Sequence, residues 1–203
     1  SMYSPYDNKR SICLQDEDFL GRLPWDFEGA GADKYPLLLN YHPLVIYRHR
    51  VCKQADMVLA QMMHSSHFSL EDKKRAYNYY EACTTHDSSL SASIYAVMAC
   101  ELGYVHKAYR YFMETARLDL ENRHHNTVDG LHLANMAGTW MVMVNGYAGL
   151  RVENGNLSFS PQISEHWESY QFRLVHHGCL INVAVNAHQA IYTLLEGSLL
   201  VFD

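Results

Sequence analysis

The sequence predicts a mainly α-helical chain that closes in a small region of antiparallel strands. Three observations carry this. From Pro43 to Tyr147, apolar residues recur near a 3.6-residue period. After Gly149 the period drops to two, as in half-buried strands. The order is helices first and strands second, which suggests an α+β arrangement or separate domains rather than alternating βαβ units.

The lead-in, residues 1–42, holds no sustained period, and Leu23-Pro24-Trp25 and Gly29-Ala30-Gly31-Ala32 interrupt any helix. A loop that long in a compact domain is expected to be functional or to rest on something outside the chain. Ser1-Met2 reads as a vector remnant ahead of internal sequence. From Pro43 to about Met62 the apolar set Leu44, Val45, Tyr47, Val51, Cys52, Met57, Val58 and Met62 predicts one helix. Lys53 and Gln54 would then lie inside it, with the lysine on a core-side face, a costly place for an unpaired charge. Ser69-Leu70-Glu71-Asp72 opens the next helix as a capping box with Asp at the third position. That helix is expected to end near Tyr80.

A third helix is predicted over Leu90–Leu102, with Gly103 as its stop, and a fourth over His106–Leu118. Asn122–Asp129 reads as a polar connection. The fifth, Leu131–Tyr147, is apolar nearly all round and is expected to be buried on several sides. Strands are predicted around Leu157–Phe159, Tyr170–Leu174, Leu180–Val185 and Ala190–Leu195, with a turn at His177-Gly178.

The chemistry concentrates between the second and third helices. Tyr79 to Ser91 packs Glu81, His86, Asp87 and the serines Ser88, Ser89 and Ser91 into one stretch. Hydroxyls, a histidine and a helix start can together hold an oxyanion. Asp87 or Ser88 as a plain helix cap is the competing reading. His132, at the first turn of the fifth helix, reads either as a packed histidine or as a group facing the helix ends.

Several function classes are excluded or disfavoured. A net charge of −6 supplies no basic field for nucleic acid. No apolar run reaches membrane-span length, and no basic-then-apolar signal opens the chain. Five scattered cysteines without a C-x-x-C pair suit a reducing, cytoplasmic setting. The 13 histidines, including His64/His67 and His124-His125, lack cysteine or carboxylate partners at ligand spacing, so no metal is expected.

Four blocks in order carry a family resemblance. They are Tyr47-Arg48-His49-Arg50-Val51-Cys52-Lys53-Gln54-Ala55-Asp56; Tyr80-Glu81 with Thr85-His86-Asp87-Ser88-Ser89-Leu90-Ser91; Asp129-Gly130-Leu131-His132 with Ala137-Gly138-Thr139-Trp140; and Leu157-Ser158-Phe159-Ser160-Pro161. Together they resemble the inverting disaccharide phosphorylases of glycoside hydrolase family 65, among them the maltose, trehalose and kojibiose phosphorylases. The resemblance implies the later half of an (α/α)6 barrel over residues 1–150 and a small β-rich C-terminal domain over 151–203. It implies cleavage of an α-glucosidic disaccharide by inorganic phosphate, as co-substrate, to β-glucose 1-phosphate and a sugar, with no cofactor. Ser88, Ser89 and His132 match the family's phosphate-contacting residues, and Lys53 and Gln54 match the pair lining its glucosyl subsite. The family's general acid sits in a Gly-Pro-Asp-Glu block that these 203 residues do not contain. No catalytic residue is therefore assigned, and the chain alone is expected to be inactive. The alternatives are a related hydrolase of the acid trehalase type and a non-catalytic helical binding module. A cut barrel is also expected to self-associate through exposed helix faces, and the full-length enzyme to be a homo-oligomer.

Overall fold

A computed structural model of the chain describes residues 4–123, 125 and 127–198. Ser1-Met2 and His124 lie outside them. The lead-in forms only short paired pieces. Strand β1 (Tyr6–Asp7) pairs antiparallel with β2 (Ile12–Cys13). Strand β3 (Leu23–Pro24) precedes two one-turn helices, α1 (Leu37–Asn40) and α2 (Pro43–Ile46).

The single helix expected from Pro43 to Met62 is not there. After α2 the backbone extends into β4 (His49–Arg50), which pairs in parallel with β3, and a bridge then joins Cys52 to Thr84. Helix α3 begins only at Asp56 and runs to Met63. Lys53 and Gln54 therefore lie in a bend ahead of the helix, and Lys53 is exposed rather than core-facing. Extended pairing with distant segments overrode a local pattern that scanned as helical.

The other helices follow the sequence closely. Helix α4 (Leu70–Glu81) starts on the expected box: the Ser69 hydroxyl accepts the Asp72 N–H, and the Asp72 carboxylate accepts the Ser69 N–H. Helices α5 (Ser91–Glu101) and α6 (Val105–Ala116) are joined at Gly103, whose φ of +72° suits a residue without a Cβ. Helix α7 (Leu133–Met141) runs on into a π-helical stretch, Val142–Tyr147.

Helix α5 is the centre of the molecule. Every residue from Ser91 to Cys100 is buried, and Tyr77, Tyr80, Tyr111 and Val142 pack in the same core cluster. Gly138 and Gly146 let α7 and its π-helical extension approach α5. A Cβ at Gly138 would fall 2.5 Å from Ser93 Oγ, and one at Gly146 would fall 3.3 Å from Val97 Cα. Position 138 thus meets 93 and position 146 meets 97, so the two helices run parallel and their N-termini face the same end.

Helix α7 departs from expectation. Leu133, Met136 and Trp140 form an exposed stripe, and of α7 itself only Asn135 and Gly138 are buried. No described part of the chain covers that stripe; burial resumes in the π-helical stretch.

The strand region has a second core. Strands β5 (Arg151–Glu153) and β6 (Asn156–Ser158) form a hairpin through Asn154-Gly155, both at positive φ. Strands β7 (Ser169–His176), β8 (Cys179–Asn186) and β9 (Ala190–Glu196) form an antiparallel meander, with the expected turn at His177-Gly178. On β8 every second residue, Cys179, Ile181, Val183 and Val185, is buried against Val144, Leu150 and Leu157. No helix of the described residues is long and apolar enough to cross a membrane.

Candidate functional site

The segment between α4 and α5 is held from two directions. The Cys52 N–H donates to the Cys83 carbonyl at 2.7 Å, and the Thr85 N–H donates to the Cys52 carbonyl at 2.9 Å. These bonds clamp the strand leading into Lys53 and Gln54 beside the strand leading into His86–Ser89. On the other flank, Asp87 Oδ2 accepts the Leu37 N–H at 2.8 Å and anchors the loop to α1.

Those bonds also separate the acidic and hydroxyl groups by role. Asp87 is spent on α1, so it does not cap α5. Ser88 closes a local turn: its hydroxyl accepts the Leu90 N–H at 3.3 Å and its carbonyl accepts the Ser91 N–H at 3.0 Å. Helix α5 itself has no side-chain cap at its N-cap residue, Leu90. With the Ser91 N–H taken by Ser88, the first-turn amides that follow it are left to another acceptor. The Ser89 hydroxyl has no partner among the described residues.

At the N-terminus of the parallel helix α7 stands His132. Its backbone N–H donates to Asp119 Oδ2 at 2.8 Å, and its ring Nδ1–H donates to Asp119 Oδ1 at 2.6 Å. Hydrogen bonds from His132 hold the Asp119 carboxyl below the usual carboxylate range. With Nδ1 committed, Nε2 is the ring atom left for a ligand. Asp119 carries no local sequence signal; it lies 13 residues before His132 and meets it only through the fold.

Lys53 and Gln54 sit on the clamped strand's far side. The Gln54 amide donates to Asp56 Oδ1 at 2.8 Å, and Lys53 makes no ion pair among the described residues. A cavity of about 410 Å³ opens beside Lys53, lined by Gln15, Asp16, Arg22, His49, Lys53 and Asp56 among others, with Gln54 outside its lining. Arg22 pairs with Asp16 at 2.7 Å, and Cys52 Sγ donates to Gln15 Oε1 at 2.9 Å, so the lead-in forms one wall of this cavity. Smaller cavities of about 230–320 Å³ lie at the helix–strand junction.

Thus Ser88, Ser89 and His132 lie at the shared N-terminal end of α5 and α7, and Lys53 and Gln54 are strapped to the same loop. Neither glutamate near the motifs is available as an acid. Glu81 is taken by Lys107 and Arg110 and accepts the Tyr111 hydroxyl, while Glu101 is taken by Lys73 and Arg151. No three metal-ligating side chains gather among the described residues.

The central catalytic domain of glycosyl hydrolase family 65 matches residues 1–141, and that family's C-terminal domain matches residues 150–202. The chain belongs to glycosyl hydrolase family 65. Among family 65 relatives, the alpha,alpha-trehalose phosphorylase of Geobacillus stearothermophilus is 50% identical over 203 residues, covering 97% of this chain and 26% of that protein. The maltose phosphorylase of Bacillus subtilis (strain 168) is 36% identical over 196 residues, again 97% of this chain and 26% of that protein. A solved chain from the human microbiome, assigned as a kojibiose phosphorylase, superposes with a TM-score of 0.89 at 30% identity, covering 96% of this chain and 27% of that one. The chain thus spans about a quarter of the length of the curated relatives it matches. Family 65 membership accounts for a helical region followed by small antiparallel strands.

Proposed function

We propose that the chain is the later half of an (α/α)6 catalytic barrel, residues 1–150, with a small β-rich C-terminal domain, residues 151–203, of an inverting disaccharide phosphorylase acting in the cytoplasm. The whole enzyme would cleave an α-glucosidic disaccharide with inorganic phosphate to β-glucose 1-phosphate and a free sugar. The observation that carries this is the gathering of Ser88, Ser89 and His132 at one end of two parallel helices, neither of which has a side-chain cap.

Phosphate is already an anionic nucleophile, so it needs no activating base. It must be held in line with the anomeric carbon, on the face opposite the leaving oxygen. Serine hydroxyls and a helix N-terminus supply donors for that anion, and His132, as an imidazolium whose Nδ1–H is held by Asp119, would add one through its Nε2–H. Lys53, which lines the adjoining cavity, would bind the glucosyl hydroxyls together with its neighbour Gln54. The proton for the leaving oxygen would come from a carboxylic acid outside these 203 residues.

Product analysis of the longer protein tests this reading, with α,α-trehalose as the first substrate because the trehalose phosphorylase relative is 50% identical. The expected result is phosphate-dependent release of glucose and β-glucose 1-phosphate. Two molecules of glucose without phosphate would mark a hydrolase and overturn it.

We further propose that the chain self-associates through α7, and that the longer enzyme is a homo-oligomer. Leu133 and Trp140 are 72% and 52% exposed on one apolar stripe. Light scattering is expected to give a mass above the 23.4 kDa monomer, falling toward it in Leu133→Glu/Trp140→Glu. A monodisperse wild-type monomer would contradict the proposal.

A further inference from the structure

We propose that His86 is a positioning residue that sets the shape of the Ser88–Ser89 turn, acting through Ser91, Tyr111 and Glu81. The inference rests on reading Ser88 and Ser89 as the anion's contacts.

Start from the one proton each hydroxyl can give. Tyr111 Oη lies 3.0 Å from Glu81 Oε1, and a carboxylate that also pairs with Lys107 can only accept, so the tyrosine donates there. Toward His86 Nε2, 3.2 Å away, the phenol oxygen must then accept, and Nε2 carries the ring proton. Burial pushes the His86 pKa down to about 4, with Glu81 pulling the other way, so the ring is neutral at pH 7. Its Nδ1 is then an acceptor, and the partner at 2.9 Å is the Ser91 hydroxyl. The chain of donors runs from Ser91 to His86, from His86 to Tyr111 and from Tyr111 to Glu81, each link with a defined direction.

Both ring nitrogens are used, so His86 has none left for the anion. Its effect falls on the backbone. His86 holds φ at +58°, the left-handed region, which is strained for a non-glycine residue and persists only where its surroundings enforce it. Here the ring is packed against Tyr95 and Tyr111, with centroids 4.8 and 5.2 Å away, and bonded at both ends. This reversal of the chain lets Thr85 stay clamped to Cys52 while, two residues later, Ser88 begins the turn into α5. Ser91, the first residue of α5, is fully buried and gives its proton to His86, which fixes the start of the helix relative to the loop. The anchoring end, Glu81, is the last residue of α4 and is held by Lys107 and Arg110 of α6. Groups from three helices, α4, α5 and α6, therefore converge on one imidazole two residues before the turn.

The test titrates inorganic phosphate into the 203-residue chain, in wild type, Tyr111→Phe, His86→Asn and His86→Gln, well below each melting temperature. Tyr111→Phe removes one hydroxyl and leaves the ring packing. Asparagine tolerates the left-handed backbone but does not span Ser91 and Tyr111. Glutamine offers one acceptor and one donor, and is the conservative replacement. Phosphate affinity is expected to fall roughly 3- to 10-fold in Tyr111→Phe and at least as far in His86→Asn, the value of about one hydrogen bond, with partial recovery in His86→Gln. Variants that melt earlier yet bind phosphate as tightly as wild type would make His86 purely structural and overturn the inference, leaving the phosphate seat intact. If His86→Asn does not fold, Tyr111→Phe decides by the same criterion. A wild-type chain that binds no phosphate overturns the seat itself, and this inference with it.

Discussion

Replacing Glu101 with leucine is expected to cost about 3–5 kcal/mol of stability, the usual effect of stripping a buried ion cluster of its counter-charge. Glu101 stands at the end of α5 and joins three elements. Its carboxylate takes Lys73 Nζ of α4 at 2.5 Å and Arg151 of β5 at 2.6 Å. The Lys73 side chain is only 6% exposed, and its remaining bond is to Ser65 Oγ at 2.6 Å. Leucine would leave that ammonium in the core without an anion, and would cut the link from the helices to β5. Urea unfolding measures the loss, and a change below about 1 kcal/mol, the ordinary value of a surface ion pair, would contradict it.

The same group gives a pH signature. Burial raises the Glu101 pKa, but the hydrogen bonds and charges of Lys73 and Arg151 outweigh it and hold the carboxyl below its ordinary 4.5. A carboxyl depressed on folding contributes stability above its unfolded pKa and loses it as pH falls through the folded one. Wild type is therefore expected to lose stability as pH drops below the ordinary glutamate value, with a shallower loss in Glu101→Leu. Parallel curves for the two proteins would show that the cluster does not titrate as described.

The second large effect is catalytic. The 203-residue chain is expected to turn over α,α-trehalose and phosphate at least about 10²- to 10⁴-fold more slowly than the longer protein, the range that a general acid alone supplies. Glu81, Glu101 and Asp87 are each bound within the fold, to Lys107 and Arg110, to Lys73 and Arg151, and to the Leu37 N–H. Promoting any of them to proton donor would break one of those bonds. Phosphorolysis assayed on the two proteins side by side checks this, and comparable rates would sink it.

How much of this was legible in the sequence varies with the range of the interaction. The Ser69 box, the Gly103 stop and the His177-Gly178 turn depend on neighbours within a few residues, and each stands where the pattern puts it. The period-two strands were equally plain, because one face of β8 is buried along its whole length. The segment Tyr47–Ala55 misled because its apolar residues fall near helical spacing by coincidence. Its conformation is set by Leu23-Pro24 and Thr84, which no local window contains. Helix α7 misled differently: its all-round apolar character is real, but the described chain offers nothing to cover Leu133 and Trp140. The groups behind the candidate site were out of reach for the same reason as the Tyr47–Ala55 pairings. Asp119 meets His132 across 13 residues, and Glu81 meets Tyr111 across 30.

The central claim is that Ser88, Ser89 and His132 form one anion seat on this chain. Titrating inorganic phosphate into wild type, Ser89→Ala and His132→Ala by calorimetry tests it most directly. Each substitution removes a donor to a charged ligand, and the expected result is saturable binding in wild type, weakened roughly 10-fold or more in each variant. Wild type that does not bind phosphate, or variants that bind it equally well, would contradict the claim.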